Sequence, residues 1–535
     1  MKLKSIFMSV LAIAMLTNCN DDDGGPNGNE GIDADVAYLS IKIETQKATR
    51  ASGENPGANE SDLETLYLVI FDSEGNVTGI PGASNYSIKI SPATASPAAV
   101  KVSASATGLL VIANPGEELE NRIGSINATS SFSSVNAAIR GVAEDEVTGD
   151  VNSISKGFAM INSGDETSLS VGDKMTDLLI DITGKIFKPD EGEDDADAKA
   201  KAKAEETDNR VEVKIERLAS KVELKVKDDL DVRPSGAFFD FGRWTLDVVN
   251  TEFFPCADKT ILKVPHTATD PFYTYNFYTH DPNFTGDVGA GLAFAEVDPD
   301  TFDPILLTPY GWMEPSETGA LAIAYCLENT MDANYQQFGN ATRLVIKGTY
   351  YPKEHTTRAG DWFNFAGENY MDLDALQKKY SESTLESNLR KACDKMFGAI
   401  KTYAEKNGLD PGANFAALNK DFLEDIPNGG ELIKDKKNDV IRWYQNGLSY
   451  YYYEIRHDNA TVKEMDFGKY GVVRNNWYSL TLGIVYGAGT PWYPDPNNPG
   501  PGDPDPEDPI DESAGYLGIT VKTAPWVIWE NEIGI

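Results

Sequence analysis

The chain is poor in the residues that most often do chemistry. Its 535 residues hold four histidines, His266, His280, His355 and His457, and none stands in a His-Glu-x-x-His spacing or beside a matched cysteine. The cysteines, Cys19, Cys256, Cys326 and Cys393, are too few and too scattered for a zinc pattern or a dense disulfide framework. Spacing alone leaves open whether Cys256 and Cys326 pair or stay as buried thiols. No glycine loop followed by Lys and Ser or Thr is present to cradle a phosphate. Basic residues are scarce as well: 47 Lys and Arg face 84 Asp and Glu, for a net charge of -37. A field of that sign repels phosphate backbones and argues against nucleic acid as a partner. The acidic run Asp503-Pro504-Asp505-Pro506-Glu507-Asp508 puts Asp508 where a calcium loop needs glycine, and its prolines keep it extended. No metal, cofactor or catalytic residue is expected, and the chain reads as a non-enzyme.

Long apolar runs are missing too. The stretch Ile6 to Leu16 is too short to span a membrane. With Lys2 and Lys4 before it and Leu16-Thr17-Asn18-Cys19 at its end, it reads as a lipoprotein signal peptide over residues 1–19, with Cys19 the lipidation site, although Asn18 is larger than the residue usual there. The run Asn20-Asp21-Asp22-Asp23 resembles the acidic export signal of surface lipoproteins in Bacteroidetes-type bacteria. The precursor is therefore expected to be lipid-anchored in the outer membrane.

What is abundant is turn and strand chemistry. The 28 prolines and 46 glycines, with many Tyr, Val and Thr, favour an all-β chain of two or three domains. Short apolar runs such as Leu66 to Phe71 and Gly108 to Ala113 need a sandwich to bury them. Between Val211 and Val226 the apolar alternation changes phase, which means a bulge or a bend near Leu218 to Ser220. The first domain is placed at residues 51–228 and the second at 229–490. Leu385, Leu389, Ala392, Met396, Ile400 and Tyr403 recur at three or four residues, so the second domain carries a helical insertion over about residues 373–426. Residues 190–209 read as a solvated loop or a short exposed helix. Tyr450-Tyr451-Tyr452-Tyr453 reads as a strand of the second sandwich, or else as a carbohydrate-binding platform.

Two segments share one pattern. Near the start Leu39, Ile41 and Ile43 alternate with Ser40, Lys42 and Glu44, before Arg50-Ala51, where a trypsin-like protease would cut. Near the end Leu517, Ile519 and Val521 alternate with Gly518, Thr520 and Lys522 in residues 514–535. The acidic, proline-rich linker at 491–513 favours polyproline geometry, which could hold this second strand about 50 Å from its own domain. Interchangeable strands, one in a removable propeptide (residues 20–50) and one on a tether, point to an exchange between copies.

Gly471-Val472-Val473-Arg474-Asn475-Asn476-Trp477-Tyr478, Leu109-Leu110-Val111-Ile112-Ala113-Asn114-Pro115, Ile215-Glu216-Arg217-Leu218-Ala219-Ser220-Lys221-Val222 and the terminal Pro525-Trp526 together resemble the fimbrillin family, most of all its major subunits of short fimbriae. The resemblance implies two transthyretin-like β-sandwich domains, lipoprotein export, cleavage between Arg50 and Ala51 by an arginine-specific protease, and polymerisation by a C-terminal donor strand. It implies as partners other copies of the chain, accessory, anchor and tip subunits, and host or bacterial surface ligands met in adhesion and biofilm formation. The alternative is a monomeric surface lipoprotein that binds glycan or host protein.

Overall fold

Leu66-Tyr67-Leu68-Val69-Ile70-Phe71 has almost no polar position because its sheet is covered on both faces. The computed structural model describes residues 35–45, 62–140, 157–162, 170–193, 195–263, 276–286, 288–306, 312–313, 323–382, 387–435, 440–457, 463, 465–510 and 517–525. In the N-terminal half the strands are β1 (Val36–Leu39), β2 (Ile41–Thr45), β3 (Leu66–Phe71), β4 (Ile88–Ile90), β5 (Val100–Ser103), β6 (Gly108–Ala113), β7 (Ile139–Arg140), β8 (Met160–Asn162), β9 (Lys174–Met175), β10 (Ile180–Asp181), β11 (Ile186–Phe187) and β12 (Val211–Arg217). Most of them build a large sheet in the order β2-β12-β8-β6-β3-β4, with β10 added on β6, and a three-stranded sheet β11-β1-β5.

Alternation along β3 and β6 assigns the two faces. Leu66, Leu68 and Ile70 join Leu109, Val111, Val213 and Ile215 in a core that also takes residues of β1 and β5. Tyr67, Val69 and Phe71 join Leu110, Ile112 and the helix Glu117–Gly124 on the opposite face. That second face is closed by Phe253, Cys256, Tyr325 and Leu327 from the other half of the chain. The halves are also joined by ladders, β7 with Glu252–Phe253 and β9 with Lys259–Lys263. A buried ion pair, Lys259 Nζ to Glu216 Oε2 at 2.5 Å, lies beside them.

The chain leaves the large sheet at Leu218, between β12 and β13 (Ala219–Val232), at the bend that the change of phase predicts. This is ten residues before the boundary expected at Asp228, because β13 pairs in the next sheet from its first residue, Ala219 opposite Leu327. There β13 lies between Ile323–Leu327 and Asn476–Val485, and Leu517–Pro525 forms the edge. A second sheet, Phe238–Asp247, Arg343–Tyr351 and Leu448–Glu454, packs against it through Val222, Trp244, Leu246, Leu344, Ile346, Leu480 and Leu482. The fold is mostly β, as composition indicates.

The tyrosine run is not a surface platform. Tyr451 and Tyr453 join the core between these sheets, Tyr450 is packed on the outer face beside Tyr493, and Tyr452 meets Phe338. The helical insertion is longer than expected. Its helices Leu373–Tyr380, Ser387–Asn407 and Gly429–Ile433 share a core of Leu376, Leu389, Met396, Ile400, Phe415 and Trp443. Leu385 lies outside the described residues. Cys256 and Cys326 are unpaired buried thiols. Residues 196–205 form a helix that is not wholly solvated: Ala200 and Ala204 are buried against Tyr38 of β1.

Candidate functional site

The N-terminal segment around Leu39, Ile41 and Ile43 is not one strand with one apolar face. It breaks at the buried Ser40 and serves two sheets. β1 is the middle strand of its sheet, antiparallel to β5 through Ala37↔Val102 and Leu39↔Val100, and antiparallel to β11 through Tyr38↔Phe187 and Leu39↔Ile186. β2 lies parallel to β12 at the rim of the large sheet, Ile41 beside Val211 and Ile43 beside Val213. Backbone bonds fasten the break: Val211 N–H donates to Ser40 O at 2.9 Å and Ile43 N–H to Ala95 O at 2.7 Å. Ala37, Leu39, Ile41 and Ile43 are all buried in the first core. On the other side Tyr38 is covered by the helix Ala196–Glu205. Between β5 and β11, then, lies one strand's width of space, floored by a core and roofed by a helix, filled by the chain's own N-terminal segment.

The C-terminal strand, Leu517–Pro525, pairs antiparallel with Asn476–Val485 of its own chain, Ile519 opposite Leu482 and Val521 opposite Leu480. Ile519 is buried in the core of that half. Of the strand's side chains, those of Leu517 and Val521 lie outside the described residues, as do Cys19, Arg50 and Ala51 as a whole.

The linker before this strand corrects the expectation of an extended tether. Residues 491–510 run back over the second half of the chain as a strap. Trp492 and Tyr493 are fully buried, and Thr490 and Tyr450 exchange backbone bonds of 2.9 and 2.8 Å. Tyr493 is gripped from both sides by the helical insertion: its N–H donates to Glu431 Oε1 at 2.6 Å, and Lys434 Nζ donates to its carbonyl at 3.3 Å. Arg343, buried and paired with Asp247 at 2.6 Å, donates to the Pro494 carbonyl. Trp492 Nε1 donates to Asp503 at 2.7 Å, which curls the strap, and Gly500 is required because a Cβ there would strike the indole. Farther along, Gly339 N–H donates to Pro506 O at 2.9 Å and Phe338 N–H to Asp508 O at 3.0 Å. Ile510 then seats among Met331, Ala341 and Tyr470. Proline abundance hides this docking. The signal in the sequence is Trp492-Tyr493, two large aromatics in a tract that would otherwise be solvated.

Burial pushes the Glu431 carboxyl up to about 7, against the opposing pull of Lys434 and the Tyr493 N–H. A folded-state value above that of an exposed glutamate means that the stability linked to the proton is complete below the ordinary range and is lost as pH rises through about 7. Urea midpoints are therefore expected to fall from pH 5 to pH 8 by more in the parent than in Glu431→Gln, a difference of at most about 3 kcal/mol. Asp281, which burial raises to about 8, contributes to the fall in both proteins. Equal falls would show that Glu431 carries no such linkage.

Among the described residues no group of three or more His, Cys, Asp or Glu is placed to hold a metal ion. His457 Nδ1 lies 2.8 Å from the Tyr478 hydroxyl, and His280 is stacked on Phe284, both within packed surroundings.

Residues 442–532 match the family model described as major fimbrial subunit protein type IV, fimbrillin, C-terminal. That segment contains Gly471 to Tyr478, the strap, the terminal strand and Pro525-Trp526, and the fimbrillin resemblance is borne out there. Among solved structures the chain is similar to a protein assigned to cell adhesion from Bacteroides eggerthii, at 14% identity and a TM-score of 0.37 over 93% of this chain and 98% of that one. A protein of the same assignment from Parabacteroides distasonis gives 13% identity and a TM-score of 0.40, over 92% and 99%. The tip fimbrial protein Mfa3 of Porphyromonas gingivalis, with a C-terminal truncation, gives 10% identity and a TM-score of 0.33, over 92% and 100%. No curated protein matches the chain.

Proposed function

We propose that this chain, whose C-terminal segment is that of the fimbrillins, is a polymerising shaft subunit of a cell-surface fimbria. It travels as a precursor lipidated at Cys19, is activated by cleavage between Arg50 and Ala51, and is linked to its neighbours by the strand Leu517–Pro525. The observation that carries the reading is the position of β1. Loss of an edge strand uncovers one edge, whereas loss of β1 leaves β5 and β11 facing each other across a gap with unpaired backbone on both sides. Loss of β2 with it opens the rim beside β12 and exposes Val211, Val213 and Ile215. Such a gap selects an extended segment with large apolar residues at every second position, and Leu517, Ile519 and Val521 supply them.

Magnitudes are compatible. Each large apolar side chain moved from water into the gap contributes about 1.5 to 3 kcal/mol, so three of them match what departure of Leu39, Ile41 and Ile43 removes. Further copies of the chain are the principal partners, and a filament of this kind needs anchor, accessory and tip subunits and an arginine-specific protease. Its surface ligands belong to adhesion and biofilm formation. The competing reading is a monomeric surface lipoprotein that binds glycan or host protein, and packing of Tyr450, Tyr451 and Tyr453 in cores removes the tyrosine run as its aromatic platform.

The reading makes the propeptide strand a removable plug, and weakening the plug is expected to help assembly. Ile41→Ala is expected to destabilise the uncut precursor by about 2 to 4 kcal/mol and to speed ladder formation once an arginine-specific protease has cut. Urea unfolding of the precursor and a time course on unboiled gels check both parts. A destabilised precursor that polymerises no faster than the parent would mean that departure of this strand does not limit assembly.

A further inference from the structure

The strap and the insertion that grips it serve no step of the exchange as described so far. A free linker of this composition would lengthen the reach of the terminal strand, and a long reach would leave neighbouring subunits loosely coupled. Instead the strap covers the outer face of the sheet Phe238–Asp247, Arg343–Tyr351 and Leu448–Glu454, where Tyr493 meets Val345 and Tyr450. Its contacts are with buried or half-buried groups of that half: Glu431 and Lys434 at Tyr493, Arg343 at Pro494, Arg442 at Pro501, Phe338 at Asp508 and Gln336 at Ile510. Peeling it off would strip Trp492 and Tyr493 from their sites and leave Arg343 and Lys434 without those acceptors. By contrast, among the described residues the terminal strand is an edge strand, with Asn476–Val485 as its one neighbour.

We propose that the strap stays docked when subunits join, so that the moving part of the chain begins after Ile510 and the helical insertion serves as the strap's clamp. This rests on the strand-exchange reading and sets its geometry. Residues 511–516 are then the whole of the link between a subunit's body and its donor strand. Fully extended they span about 20 Å, against roughly 70 Å were the linker free from residue 494 onward. So short a link requires the recipient's gap between β5 and β11 to lie close against the donor's second half, near Ile510. The occupant of that surface is a second copy of this chain, and the junction is stiff.

A lock on the strap tests this. Gln337 and Pro509 face each other in an antiparallel bridge, a spacing that suits a disulfide. The full chain carrying Gln337→Cys and Pro509→Cys is oxidised, the new bond is confirmed by mass, and the protein is cut with an arginine-specific protease beside its reduced form and the parent. The expected result is the same oligomer ladder from all three. A ladder from the reduced protein and the parent, lost in the oxidised protein, would overturn the docked strap and leave the exchange standing. Absence of a ladder from the parent would overturn the exchange itself, and the strap's role in it.

Discussion

A chain carrying Val521→Asp is expected to remain monomeric after cleavage at Arg50. Position 521 shares a strand face with position 519, whose isoleucine is buried where the strand docks on its own chain. In the neighbour's gap an aspartate on that face would stand between β5 and β11 over an apolar floor of Leu66, Leu68, Ile70 and Val111. Burying it unpaired costs roughly 3 kcal/mol or more relative to a strand released into water, so the gap binds the released strand at least 100-fold more weakly than it binds the parent's. Thr520→Asp puts the same charge on the opposite face and is expected to retain the ladder. Ile519→Ala is the informative middle case. Its side chain is buried in the docked monomer and would be buried again in the neighbour, so truncation weakens both states. Monomer stability is expected to fall by about 2 to 5 kcal/mol, while the ladder changes much less. A Val521→Asp chain that polymerises like the parent would show that this strand is not the donor.

The second large effect belongs to Arg50. With β1 and β2 in place the core they cover is closed and β5 and β11 are paired, so an uncut chain offers no gap to fill. Arg50→Ala is expected to abolish the ladder under an arginine-specific protease, leaving a soluble monomer with the parent's urea midpoint. Lys47 lies close by, so a lysine-specific protease is expected to restore assembly of the same variant. Filaments from the uncut variant would refute the activation step.

The sequence was most legible where one side chain period had one cause. Leu66–Phe71 and Gly108–Ala113 are strands because both faces are covered, and the phase change after Val211 is a real bend at Leu218. The interchangeable pattern of the two terminal segments was readable, but their placement was not. Ala37, Leu39, Ile41 and Ile43 look like one half-buried strand. The break at Ser40 follows from the joint geometry of two sheets, and local alternation carries no trace of which sheet takes which half. The linker misled for a different reason. Proline content reports backbone preference, whereas docking of residues 491–510 depends on Arg343, Glu431, Lys434 and Arg442, which lie far away in sequence. The tyrosine run was ambiguous because a strand buried on both faces and an exposed aromatic platform have the same composition.

The central claim is that the terminal strand leaves its own sheet for the neighbour's gap, and isotope-labelled crosslinking tests it most directly. Unlabelled and nitrogen-15-labelled chains are cut together, crosslinked through lysines and digested. In the docked monomer Lys522 lies opposite Ser479, two strands from Lys225 of β13, so links between Lys522 and Lys225 are expected within one chain. In filaments the account predicts that these fade and that mixed-isotope links appear from Lys522 to Lys101 of β5 or Lys214 of β12, the lysines that flank the gap. Filaments in which Lys522 remains linked only to Lys225 of its own chain would contradict the account.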